Sequence, residues 1–234
     1  MKLSLIIPCY NESANLPTLI ERCADVVKAD DVEVVLVNNG STDDSGAVLD
    51  GLLPRYPGVR SVLVGKNQGY GFGILSGLRA AHGDVLAWTH ADMQTDPLDA
   101  LKGFAFFKRH GANLFVKGRR YGRPAADVAF TVGMSLFETA LLRRPLWDIN
   151  AQPTMFSRQF FESWSDDAPH DFSLDLYAYY RARCAGLPVH RFPVRFGERL
   201  HGTSHWNVNW AAKRKFIKRT VDFSLELKRK VDRS

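Results

Sequence analysis

Short, continuous apolar runs alternate with amphipathic stretches through the first half of the chain. Leu3 to Pro8, Val32 to Val37, Val59 to Val64 and Asp84 to Thr89 read as strands. Leu16 to Lys28, Thr42 to Leu53, Ile74 to Ala81 and Leu98 to His110 have helical spacing. Runs without a polar face predict strands buried on both sides. Their alternation with helices predicts a mostly parallel sheet covered on both faces. The second half is less periodic. It offers a short strand at Asn113 to Lys117, helices at Asp127 to Leu142 and Phe172 to Ala185, and an alternating edge strand at Pro188 to Phe196. A polar loop at Arg199 to Asn207 overlaps the start of a last helical stretch, which opens at Trp206.

In such a sheet ligands bind beyond the carboxyl ends of the strands. The polar turns fall there: Tyr10-Asn11-Glu12, Asn38 to Ser41, Asn67 to Gly73, and His90 to Gln94. They are short and rich in hydrogen-bonding groups, which fits a nucleotide site better than plain connections.

The chain has 234 residues, enough for one α/β domain with an appendage. Apolar and charged fractions are those of a folded globular protein, and no internal repeat is visible. Cys9, Cys23 and Cys184 lack metal-ligand spacing and read as reduced thiols of a cytoplasmic protein. The first apolar run is too short for a signal peptide, and no stretch reaches the roughly 18 residues that cross a bilayer. The expectation is a chain neither exported nor membrane-spanning.

Net charge is +6. Lys213 to Arg233 holds nine Lys and Arg against three acidic residues, which leaves the remainder neutral. A neutral body argues against a nucleic-acid partner.

The turn after the fourth strand, His90-Ala91-Asp92-Met93-Gln94, carries a carboxylate with a second oxygen donor two residues on. Such a pair can hold Mg²⁺ or Mn²⁺, with a diphosphate and water supplying the other ligands. The metal would neutralise charge on a departing nucleoside diphosphate. Asp92 is the first ligand by this reading and Gln94 the second; an Asp capping the next helix is the plainer alternative. Gly69-Tyr70-Gly71-Phe72-Gly73 evokes a dinucleotide loop and an oxidoreductase, but the next glycine is Gly77, which breaks the pattern.

Four segments in order resemble the family 2 glycosyltransferases of GT-A fold, in particular the dolichol-phosphate mannose synthase branch. They are Ile6 to Glu12, Val37 to Asp43, Asn67 to Gly71, and His90 to Pro97. In the second half, Gly118-Arg119-Arg120-Tyr121 is similar to that branch's Gly-Thr-Arg-Tyr, Asp148 to Arg158 to its Asp-x-x-x-Gly-Phe stretch, and Arg199 to His205 to its Arg-x-x-Gly-x-Ser-Lys loop.

The resemblance implies a three-layer α/β/α sandwich over residues 1–205, and the helical period of the tail predicts a basic amphipathic helix over 206–234. It implies a hexosyltransferase that moves a sugar from a nucleotide-sugar to a polyprenyl phosphate by metal-dependent inverting displacement. Transfer to a saccharide hydroxyl in cell-surface polysaccharide synthesis is the alternative acceptor chemistry. A non-catalytic nucleotide-sugar-binding protein on the same fold is the alternative class. Donor-binding residues would be Pro8, Tyr10, Asn11, Glu12, Asn39, Ser41, Asn67, Gly71, His90, Ala91 and Asp92. Asp92, Gln94 and His90 would hold the divalent cation. Arg119, Arg199, Ser204 and His205 would face phosphate groups, and Asp92, Asp148 and Arg119 would be catalytic. His90 stands where the family has the first Asp of Asp-x-Asp, and Asn39 where it has Asp. A neutral imidazole can still ligate Mn²⁺.

An alcohol acceptor needs a general base, and Asp148, with Asp175 behind it, is the matched candidate; an ion pair is the alternative role. From Trp206 to Val231 the helical period gathers Trp206, Trp210, Phe216, Ile217, Val221, Phe223, Leu225 and Leu227 opposite Lys215, Lys218, Arg219, Arg229 and Lys230. That helix suits an inner membrane face, or the domain itself or a second copy of the chain.

Overall fold

A computed structural model describes residues 1–201 and 210–231. Strands β1 (Leu3–Cys9), β2 (Val32–Asn39), β3 (Val59–Val64) and β4 (Val85–Trp88) are joined by helices α1 (Leu16–Val26), α2 (Ser45–Leu52) and α3 (Tyr70–Ala80). Helix α4 (Asp99–His110) leads to β5 (Phe115–Tyr121) and the long helix α5 (Ala125–Leu142). Strand β6 (Thr154–Ser157), helices α6 (Arg158–Glu162) and α7 (Leu174–Cys184), strand β7 (Val189–Arg195) and helix α8 (Trp210–Val231) complete the described chain.

The strands form one sheet in the order β3-β2-β1-β4-β6-β5-β7. β1 pairs in parallel with β2 and β4, β2 with β3, and β5 with β7. Only β6 runs against its neighbours, β4 and β5. The α/β sandwich with a mostly parallel sheet is therefore the one the apolar pattern predicts.

Strand pleating explains the two cores. Leu5 and Ile7 point to one face, where Leu19, Ile20, Phe104 and Phe107 of α1 and α4 cover them. Ile6 points to the other, among Ile74, Leu78, Trp88 and Phe156. Gly77 lets α3 sit close on this face: a Cβ there would lie 2.5 Å from Ile6 Cγ2 and 2.7 Å from Val37 Cγ2.

Several boundaries differ from the sequence reading. Helix α3 opens at Tyr70 rather than Ile74, so Gly71 and Gly73 belong to its first turn. β6 and α6 were not anticipated, because Thr154 to Ser157 is too short to show a period.

The expectation that no stretch is long and apolar enough to cross a bilayer needs correcting: α5 meets that criterion over 18 residues, with only 17% of them buried. Its polarity is inverted. Its buried positions are Ser135, Glu138 and Leu142, while every exposed position is Ala, Gly, Val, Leu or Phe. Two acidic residues, Asp127 and Glu138, interrupted the run in sequence.

Helix α8 lies against α5. Phe223 and Leu227 join the core around Tyr177, and Ser224 donates to Glu138 Oε1 at 2.8 Å. Leu225 stays exposed, so the apolar residues of α8 do not form one outward face.

Burial pushes the Glu138 carboxyl up to about 7, against only a small opposing effect of the Ser224 hydroxyl. The folded state therefore holds a proton between about pH 4.5 and 7 that the unfolded chain has released, and stability declines as pH rises through that window. Glu138→Gln should raise stability at pH 8 by on the order of 2 kcal/mol and change little at pH 4. Urea unfolding at the two pH values measures this, and equal effects at both would refute it.

Candidate functional site

The turns after β1 and β2 are stitched together at the carboxyl edge of the sheet. Asn11, at φ +56°, accepts from Thr42 N at 2.8 Å, and its own backbone N donates to Ser41 Oγ at 3.1 Å. Glu12 N donates to Ser45 Oγ, and Ser13 N to Asp43 Oδ2. Tyr10 is left exposed beside this seam, next to half-buried Pro8. An exposed ring held by a rigid turn can lie against a flat base.

Asn39 ends β2 almost fully buried. Its Nδ2 donates to Gly69 O at 3.0 Å, whereas its Oδ1 has no partner among the described residues. Asn67 Oδ1 accepts from Gly69 N at 2.8 Å and shapes the glycine turn.

That turn is not open to a pyrophosphate. Phe72 N donates to His170 O, and a Cβ on Gly71 would lie 2.6 Å from Pro169 O and 2.7 Å from Asp171 O. Gly71 is therefore a packing position, which corrects its assignment as a donor contact. The same covering leaves no place for the dinucleotide alternative.

The turn after β4 holds Asp92, a buried carboxylate, directly beyond Trp88 in the centre of the sheet. Asp92 Oδ1 accepts from Gln94 N at 3.1 Å, and Arg199 reaches Oδ2 at 2.8 Å. Ala91 is buried beneath, and the His90 ring lies 5.8 Å from that of Tyr70, which stacks on Phe172 at 4.4 Å. Gln94 turns its amide to Gly197 O at 3.1 Å, so the amide nitrogen is committed to the loop that carries Arg199.

Glu12 lies near Asp92. Burial first, and the Asp92 charge beside it, raise its carboxyl above the ordinary value, with the Asn15 amide opposing. No group of three His, Cys, Asp or Glu side chains that could hold a metal ion occurs among the described residues. The donor set nevertheless suits a hard cation that takes most of its ligands from a diphosphate and water. Asp92 would supply an oxygen, His90 stands two residues away, and Arg199 pairs with Asp92 while its charge also acts on Glu12.

A second cluster lies around Asp148, also buried. Arg120 donates to it from Nε at 2.9 Å and from NH2 at 2.5 Å, and from its backbone N at 3.1 Å. Arg123 and Arg191 approach to 3.8 and 3.7 Å. Ser135 Oγ accepts from Asp148 N, which ties the cluster to α5. Burial alone would raise the Asp148 carboxyl; Arg120 overrides it and holds the pKa below the usual Asp value. A carboxylate held by three guanidinium groups is a weak base, so the ion-pair role replaces the general-base role for Asp148.

The pleat of β5 puts Arg119 and Arg120 on opposite faces. Arg119 is exposed and lies outside the cluster, while Arg120 turns in to Asp148. Arg123 and Arg191 were missed as well. The signal was weak, because Arg123 follows the matched segment and Arg191 sits in an ordinary alternating strand.

Phe196 joins the two clusters: the Arg120 and Arg123 guanidinium groups lie 5.3 and 5.6 Å from its ring, and Arg199 follows three residues on. Asp175 is buried farther in, where it accepts from Trp88 Nε1 at 3.2 Å and Gln152 Nε2 at 2.6 Å. Ser204 and His205 lie outside the described residues.

The model of glycosyl transferase family 2 matches residues 4–162. The chain belongs to this family. Among its relatives is the undecaprenyl-phosphate 4-deoxy-4-formamido-L-arabinose transferase of Serratia proteamaculans, 36% identical over 100 residues. That match covers 41% of this chain and 30% of the relative. The enzyme of the same name from Pseudomonas aeruginosa strain LESB58 is also 36% identical, over 41% of this chain and 29% of that one.

Glucosyl-3-phosphoglycerate synthase of Mycobacterium tuberculosis, solved with Mn²⁺, UDP and phosphoglyceric acid, shares the fold. Its TM-score is 0.71 at 18% identity, over 97% of this chain and 78% of that one. The mannosyltransferase PcManGT of Pyrobaculum calidifontis, solved with GDP-Man and Mn²⁺, gives 0.60 at 20% identity over 87% and 58%. For this family 2 chain, the matched region contains the Asp92 turn and Asp148 but stops before Arg191 and Arg199. The arginines from the later segment thus lie outside the part that carries the family's mark.

Proposed function

We propose that this chain is a glycosyltransferase that passes a sugar from a nucleoside-diphosphate sugar to a lipid phosphate, with Mg²⁺ or Mn²⁺ at Asp92. The observation that carries this reading is the charge arrangement. Carboxylates Asp92 and Glu12 stand beside the seam of the nucleotide turns. Around Asp148, three guanidinium groups outnumber one carboxylate and leave excess positive charge. An acidic pole suits a cation carrying a diphosphate, and a basic pole suits an anionic acceptor.

A phosphate monoester is anionic near neutral pH and needs no strong base to attack the sugar carbon. That agrees with an Asp148 too tightly paired to serve as one. The phosphate oxygen would attack from the face opposite the leaving diphosphate, inverting the sugar carbon. Tyr10 and the Asn11 turn would bracket the base, and Arg120 and Arg199 would face phosphate oxygens. The names of the undecaprenyl-phosphate relatives support a polyprenyl phosphate as acceptor. A polyprenyl phosphate acceptor would place the reaction at a membrane surface.

The test is transfer of labelled sugar from a panel of UDP- and GDP-sugars to undecaprenyl phosphate, with Mn²⁺ or with EDTA. Metal-dependent labelling of the lipid phosphate is expected. Labelling of a saccharide hydroxyl in its place would replace the acceptor; no labelling, with UDP and GDP binding intact, would favour a binding protein. Thermal shift supplies the binding readout: a nucleoside diphosphate at about 100 times its Kd stabilises by about 2.7 kcal/mol, and only with Mn²⁺ if the cation bridges it.

A further inference from the structure

Helix α5 presents to solvent the residues that soluble helices hide. Leu136 and Phe137 are 59% and 39% exposed, and Val128 43%. No charged or hydroxyl side chain interrupts the exposed positions. Its polar residues face inward, and each has a use there. Thr131 Oγ1 accepts from Arg123 at 2.8 Å, Ser135 bonds the Asp148 backbone, and Glu138 meets Ser224 of α8. The inversion is therefore fixed by the arginine cluster and by α8.

The surroundings of this face say what covers it. Tyr121 before α5 and Trp147 after it are exposed, at 55% and 45%. Aromatic rings of this kind concentrate at the boundary between lipid and water. Arg143 and Arg144 are exposed directly after the last turn of α5. Helix α8 runs in the direction of α7, with Arg219 beside Asp171 and Phe223 against Tyr177, and the far end of α7 meets the segment after α5, where Arg183 donates to Pro145 O. Its terminal Lys228, Arg229 and Lys230 thus lie toward the same end as Arg143 and Arg144. An apolar strip flanked by aromatic rings and ending in cations is complementary to an anionic leaflet, with the strip among acyl chains and the cations among headgroups. A second copy of the chain would bring a like-charged cluster toward this one in any parallel pairing.

We propose that α5, lying flat in the headgroup region, is the surface by which this chain docks on an anionic phospholipid bilayer. This changes the assignment made from sequence, where α8 alone would meet the membrane. In this arrangement α8 braces α5 and adds charge, while α5 supplies the apolar contact. The docking itself does not depend on the acceptor. It bears on the lipid-phosphate reading in one respect: the inner side of α5 borders the arginine cluster, through Thr131 to Arg123 and Ser135 to Asp148.

The test is flotation of the full chain with vesicles of phosphatidylcholine alone or with about 30 mol% phosphatidylglycerol. Wild-type protein should float with the anionic vesicles and weakly, if at all, with the neutral ones. Leu136→Glu with Phe137→Ser should lower anionic vesicle binding about tenfold or more. Arg143→Glu with Arg144→Glu should lower it less, by a factor that shrinks with added salt. All four side chains are exposed, and circular dichroism reports whether each variant keeps its fold. Nucleotide binding by thermal shift should be unchanged in both, which separates loss of docking from failure of the donor site. Wild-type protein that stays with the solvent, or a folded Leu136→Glu/Phe137→Ser chain that floats as well as wild type, would overturn the proposal. So would a dimer in sedimentation velocity that this double variant converts to monomer, since the face would then belong to a second copy.

Discussion

Replacing Asp92 with Ala should lower metal-dependent sugar transfer by about 10²–10³-fold, the usual cost of removing one group that stabilises charge on a leaving oxygen. The side chain is buried at the end of the central strand, and no second Asp stands two residues before it to compensate, since that position is His90. If Asp92 holds the cation as proposed, the loss should appear as a demand for more Mn²⁺ as well as a lower rate. Folding should survive. Arg199 is partly exposed and water can solvate it once the carboxylate is gone, so the stability cost should be about 1 kcal/mol. Asp92→Asn is the companion variant: its amide oxygen can still accept from Gln94 N, so the turn keeps its shape while the charge is lost. Initial rates over a Mn²⁺ titration measure both. Either variant transferring sugar at the wild-type rate would remove Asp92 from the metal site.

The second large effect is on stability. Asp148→Ala leaves Arg120, Arg123 and Arg191 facing one another with no anion among them, in a pocket where their side chains are at most 16% exposed. Breaking such a buried arrangement costs about 3–5 kcal/mol. The pH dependence has a definite sign. The folded-state pKa of Asp148 lies below its unfolded value of about 3.9, so its contribution is complete above that value and is lost as pH falls through the lower one. The gap between wild type and variant in urea unfolding should therefore be full at pH 7 and smaller near pH 3. A variant as stable as wild type at pH 7 would mean that the arginines do not depend on Asp148.

Much of this arrangement was written in the chain, and the legible parts share a cause. β1, β2 and β4 are buried on both faces, so their apolar runs are continuous and their ends sharp, whereas edge strand β3 leaves Leu63 exposed against that expectation. The polar turns after them lie at one edge because parallel strands must end together. What escaped reading depended on contacts made elsewhere. Helix α3 begins at Tyr70, against the preference of Gly71 and Gly73 for loops, where the backbone of residues 169–171 packs closely on Gly71 and Phe72 N donates to His170 O. β6 is four residues long and gains its pairing from strands on either side. Arg120, rather than Arg119, faces Asp148 because of the phase of the β5 pleat, and a motif match carries no phase. The outward apolar face of α5 was hidden for a related reason: a helix period shows that one side is polar, not which side turns inward.

The contacts of Gly71 and Asp175 also set the smallest piece of this chain that can stand alone. Residues 4–162 carry the family's resemblance. Within them, Gly71 leans on the carbonyls of Pro169 and Asp171, and the Trp88 and Gln152 side chains both donate to Asp175, beyond the end of that stretch. A fragment cut at Glu162 would bare the flank of its own central strand and orphan two buried donors. The stretch that carries the family's resemblance and the stretch that closes its own core are therefore different lengths of the same polypeptide, and residues beyond 162 act as internal scaffolding for those before it.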